Sequence, residues 1–148
     1  MSQDSDLMKL YSARILALAA AIPHRERLDA PDGSAKKRSP LCGSTVSVDL
    51  SLQDGRISAF GQDVKACALG QAAAAVVGDA VIGLDEATIA RGRDQMLAML
   101  KSGGPVPDAP FDGLSVLEPA RDFKNRHASI MLAFDATLAA FADAKART

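Results

Sequence analysis

Cysteine is scarce in this 148-residue chain, which has two, and histidine is equally scarce. Two thiols are too few to staple a small secreted domain, so free, reduced thiols are expected. Charge of one sign is also lacking. Lys plus Arg number 17 against 18 Asp plus Glu, a formal net charge of −1. No basic excess exists to hold phosphate backbones, which argues against a nucleic-acid partner. Long apolar runs are missing too: none approaches the roughly 18 residues of a membrane span. The opening Met1-Ser2-Gln3-Asp4-Ser5-Asp6 is acidic where a secretory signal would be positive. These absences point to a cytoplasmic protein away from membranes. A single domain over residues 1–148 is long enough to bury its own core.

The apolar residues that are present fall into clear periods. Leu7, Tyr11, Ile15, Leu18 and Ile22 recur every three or four positions, the stripe of an amphipathic helix that Pro23 should end. From Leu28 to Pro40 the chain is polar and includes the basic cluster Lys36-Lys37-Arg38, suited to a solvated loop or a short edge strand. Val46, Val48, Leu50 and Leu52 alternate with polar residues, predicting a half-buried strand. Asp54-Gly55 signals a tight hairpin into a second strand, Ile57 to Val64.

Helices should dominate the remainder. An alanine-rich run from Ala68 to Val77 reads as a helix ended by Gly78. A second spans about Asp85 to Lys101, with acidic residues in its first turn and Gly103-Gly104 beyond its end. Three prolines, Pro105, Pro107 and Pro110, force a loop, and Leu114 to Glu118 suits a short helix. His127, Ile130, Met131, Phe134, Leu138 and Phe141 share one face of a last helix, with Asn125 suited to its N-cap. The fold class is therefore α+β, a small antiparallel sheet packed against several helices.

Cys42, Cys67 and His127 are the chemically distinctive residues. A cysteine at a helix start, as Cys67 should be, becomes a better nucleophile and metal ligand. Cys42 precedes Gly43, which lets the backbone fold closely around a ligand. Two sulfurs and one imidazole nitrogen would leave an open fourth position on a metal. Plainer readings exist for each. A buried free cysteine is often only a small hydrophobe, and a histidine opening an apolar stripe is often a hydrogen-bonded core residue. A thiol enzyme with Cys67 as nucleophile and His127 as base lacks an evident orienting carboxylate.

Taken in order, Cys42-Gly43-Ser44, Ala66-Cys67-Ala68, Leu84-Asp85-Glu86-Ala87 and Arg126-His127-Ala128-Ser129-Ile130 resemble the U-type iron-sulfur cluster scaffolds, the IscU, SufU and NifU amino-terminal family. Leu10-Tyr11-Ser12 with Ile22-Pro23-His24-Arg25 is similar to that family's opening helix and turn. The long segment between Cys67 and His127 is nearest the SufU branch, and the chaperone-binding Leu-Pro-Pro-Val-Lys segment of the IscU branch is absent. The resemblance implies a scaffold or sulfur acceptor in iron-sulfur cluster assembly, not an enzyme. Its partners would be a cysteine desulfurase and apo-protein recipients, and it would be a monomer or weak homodimer.

On this alignment His127 stands where the family has a third cysteine, and Ser44 where it has an aspartate. The implied ligands of a transient iron-sulfur cluster, or of iron, are Cys42, Cys67 and His127, with zinc as the other candidate metal. Cys67 would be the persulfide acceptor, and Ser44 and Arg126 would stand beside the ligands. The alternatives are a zinc-binding desulfurase partner and a cluster-free interaction protein that keeps the fold.

Overall fold

The computed structural model describes residues 12–40 and 43–148. Its sheet is built on the expected hairpin. Strand β2 (Thr45–Gln53) turns into β3 (Arg56–Lys65) through Asp54 and Gly55, whose φ values of 54° and 76° are both left-handed. Such a turn matches the natural twist of two antiparallel strands. The polar stretch supplies edge strand β1 (Gly33–Arg38), giving the antiparallel order β1-β2-β3 with Ala35 opposite Val48 and Val48 opposite Gln62.

One sheet face carries Val46, Val48, Leu50 and Phe60, all buried against helices. The opposite face, expected to be open, is closed at its centre: Ser47 and Asp49 are also buried. The segment from His24 to Leu28 crosses there, with Gln62 N donating to His24 O at 2.8 Å. Gly61, opposite Asp49, has no side chain because a Cβ would collide with the Glu26 carbonyl oxygen. Asp49 accepts from Arg27 Nε at 2.6 Å, Arg27 Nη2 at 2.8 Å, Leu28 N at 3.1 Å and Ser34 Oγ at 2.6 Å. The Arg27 guanidinium holds the Asp49 carboxyl below its ordinary value, against the opposing effect of burial.

Among the described residues, four α-helices and two 3-10 segments accompany this sheet. Helix α1 (Ala13–Ala20) starts at Ser12, whose Oγ accepts from Ile15 N at 3.3 Å, and it buries Ile15. Leu7 and Tyr11 lie outside the described residues. Helix α2 (Ala68–Ala80) runs through Gly78 instead of ending there. Gly78 marks a close approach, since a Cβ would press on Gln62 Nε2 and the Pro23 ring. Helix α3 (Glu86–Ser102) has its cap at Asp85, which accepts from Thr88 N at 2.9 Å, and its left-handed stop at Gly103. The expected short helix is a 3-10 segment, Asp112–Asp122, burying Leu114, Leu117 and Ala120 at its period of three.

Helix α4 (His127–Ala146) differs most from its sequence reading. It is buried on nearly every side, against β1 and β2 and between α2 and α3. Phe134 and Phe141 fill the core side, while Ser129, Ala133, Ala136 and Ala140 form a stripe of small residues. Those small residues let backbones come close: a Cβ on Gly33 would strike the Ala140 backbone. Arg126, not Asn125, occupies the N-cap position, and no side chain caps the helix.

Candidate functional site

Cys67 is the N-cap residue of α2, held at φ −65° and ψ 169° where β3 ends and the helix begins. Its side chain makes no capping bond and is half buried. Sγ instead lies 3.5 Å from Ser129 Oγ in the first turn of α4. Ser129 Oγ donates to Ser44 Oγ at 3.2 Å. Both hydroxyls are buried, at 1% and 5% exposure, so the thiol is the outermost member of a chain of three polar groups. Gly70, one turn into α2, permits the approach: a Cβ there would stand 2.7 Å from Ser129 Oγ.

Ser44 reaches this position through a short loop. Ser39 N donates to Ser44 O at 2.8 Å and Gly43 N to Ser39 O at 2.9 Å, with Gly43 left-handed at φ 71°. Cys42 lies outside the described residues. The hydroxyl of Ser129 has one proton for two neighbours. Directed at Ser44, it leaves Ser129 Oγ to accept from a protonated thiol. Turned to Sγ, it stabilises a thiolate or a terminal sulfur carried by it.

Among the described contacts, none joins Cys67 to His127. Its Nε2 lies 3.0 Å from Ala120 O and 3.1 Å from Arg121 O, two acceptors that require a hydrogen on that nitrogen. The residue is 5% exposed, and its ring ties α4 to the preceding 3-10 segment, the plainer role of a core histidine. Helical geometry explains the separation. Residues advance about 100° per step, so positions two apart face nearly opposite ways. Ser129, which the sequence reading missed, is therefore the residue that α4 presents to Cys67. The available signal was the small-residue stripe it heads, since small residues mark where another backbone closes in.

The donor set limits what can be bound. Among the described residues no three His, Cys, Asp or Glu side chains converge. Ser44 and Ser129 offer neutral hydroxyls, poor ligands for iron or zinc beside thiolate, imidazole or carboxylate. The described residues do not fit a resident metal ion. No helix of the described residues is long and apolar enough to cross a membrane.

This arrangement, a three-stranded antiparallel sheet packed by helices, is an α+β fold shared by several solved structures. A nitrogen-fixing NifU-like protein (N-terminal) from Brucella abortus matches with a TM-score of 0.93 and 40% identity, over 97% of this chain and 99% of that one. The chain belongs to that NifU-like amino-terminal family, of the U-type scaffold group. A candidate iron-sulfur cluster assembly scaffold protein for the SUF system from Fervidobacterium islandicum AW-1 shares the fold, with a TM-score of 0.80 and 15% identity over 90% of this chain and 98% of its own. So does a protein described only as hypothetical, at a TM-score of 0.74 and 22% identity over 91% of this chain and 98% of that one. No family model and no curated protein sequence matches.

Proposed function

We propose that this protein serves iron-sulfur cluster assembly as a sulfur-accepting scaffold, not as an enzyme. Family membership supports the process, and the position of Cys67 carries the specific role. It is a partly exposed thiol at a helix N-terminus with a hydroxyl 3.5 Å from its sulfur. A cysteine desulfurase would present a persulfide. The Cys67 thiolate attacks the outer sulfur, a new S–S bond forms on Cys67, and the desulfurase cysteine leaves as thiolate, so atoms and electrons balance without an added oxidant. Ser129 can turn its proton to the acquired sulfur.

Cys42 and Cys67 are the two thiols offered to iron or to a nascent cluster, which is cargo on this reading. His127 is engaged elsewhere and is not part of the set. A second reading, an interaction protein that keeps the fold without sulfur chemistry, is favoured by one feature: hydroxyls occupy two positions around Cys67 where stronger ligands would serve a cluster. Maturation of an apo-ferredoxin recipient separates the two. With desulfurase, cysteine, ferrous iron and reductant, this protein should speed the appearance of ferredoxin absorbance, and Cys67→Ser should not. Maturation no faster than with desulfurase alone would remove the proposed role.

A further inference from the structure

A trough runs along the outer face of α4, on the side away from Ser129. One part, a cavity of about 730 Å³, lies between α3, the 3-10 segment and the start of α4. A second, of about 590 Å³, continues between α4 and the end of β1 with its following loop. Arg93, Ala128 and Asp135 line both, so the two are one groove crossed by the Arg93–Asp135 ion pair at 2.7 Å. Along α4 it extends from His127 to Ala139, and twelve residue steps at about 1.5 Å each make it about 18 Å long. That length accommodates roughly three turns of a partner helix.

Its floor is apolar and partly open, through Leu97, Ala128, Leu138 and Ala139. Its rim is basic. Lys37, Arg38, Arg93, Lys101, Arg121 and Lys124 line it against only two acids, Asp122 and Asp135, in a chain whose net charge is −1. Arg93 is committed to Asp135 and Asp94, and Arg121 stands 3.5 Å from Glu118. Lys37, Arg38, Lys101 and Lys124 are exposed and form no ion pair among the described residues. Cations concentrated on both walls of an apolar trough, away from a chain average that is slightly negative, create a field for one sign of partner.

We infer that this groove docks an acidic amphipathic helical segment of a partner protein, its apolar face on Leu97 and Leu138 and its carboxylates on the lysines of the rim. The docking itself requires no thiol.

The test is fluorescence anisotropy with the whole protein and a fluorescein-labelled amphipathic peptide of leucine and glutamate. Its sequence-scrambled form and a leucine-lysine counterpart serve as controls. The glutamate peptide should bind, the controls should not, and binding should weaken as salt rises. Lys101→Glu with Lys124→Glu, and separately Lys37→Glu with Arg38→Glu, should each weaken it about tenfold or more. Arg14→Glu, an exposed reversal on α1, should leave it unchanged, as should Cys67→Ser. Circular dichroism establishes that each variant is folded. Equal binding of the lysine peptide, indifference to both rim reversals, or saturable laurate binding with no peptide binding would overturn the proposal. So would sedimentation showing that a second copy of the chain occupies the groove.

Discussion

Two polar clusters flank β2, and they are built to opposite specifications. Asp49, within the strand, is a buried carboxylate receiving four donors, including both nitrogens of the Arg27 fork. Ser44, just before the strand, begins a run of weak neutral groups that ends in a half-buried thiol. The first cluster has no capacity left and fastens the crossing segment from His24 to Leu28 onto the sheet. The second keeps a thiol accessible and a hydroxyl proton that can turn. A buried, charged polar cluster is an anchor; a neutral one that reaches the surface through a thiol is where chemistry can occur.

The largest effect should come from giving the second cluster charged donors. Ser44→Asp with Ser129→Cys supplies a carboxylate and a thiolate beside Cys67, and zinc affinity should rise by about a thousandfold or more in a chelator competition. Ser44→Asp with His127→Cys places the new thiol on the other side of α4 and should gain far less. Reversal of that order would show that His127, after all, faces the site.

Breaking the anchor comes next. Asp49→Ala should lower stability in urea by about 2–3 kcal/mol, a value held down because Arg27 is half exposed and its charge is screened. The folded fraction should still accept sulfur. Asp49 also gives the anchor a pH signature. Its folded-state value is depressed, so its contribution is whole above the unfolded value near 4 and is lost as pH falls through the folded value. The urea midpoint should therefore drop below about pH 4, and Asp49→Asn should flatten that drop. Part of the slope should survive in the variant because Asp85, held low by its cap to Thr88, titrates in both proteins. The smallest effect belongs to Ser129→Ala, about 1 kcal/mol for two weak hydrogen bonds, read from the same unfolding curves.

The sequence was legible wherever one segment determined its own structure. Asp54-Gly55 announces its turn, Asp85 and Gly103 bracket α3, and alternation from Val46 to Leu52 makes a strand in any context. Legibility failed where distant segments meet. Nothing local to Asp49 says that Arg27 will cross over it, and nothing local to Gly78 distinguishes a helix stop from a place where Gln62 and Pro23 press close. At the site, the resemblance brought the right turn of α4 toward Cys67 but attached the role to His127. The phase of the helix decides between His127 and Ser129, and that phase is fixed by packing against the sheet and α2.

The central claim is that Cys67 is the reacting group and His127 a structural one. Peptide-mapped mass spectrometry after incubation with a cysteine desulfurase and cysteine tests it most directly. One added sulfur should be found on Cys67 in the parent and in a folded His127→Asn variant, and none at the parent's rate on Cys67→Ser. Sulfur delivered equally well to Cys67→Ser would contradict the account.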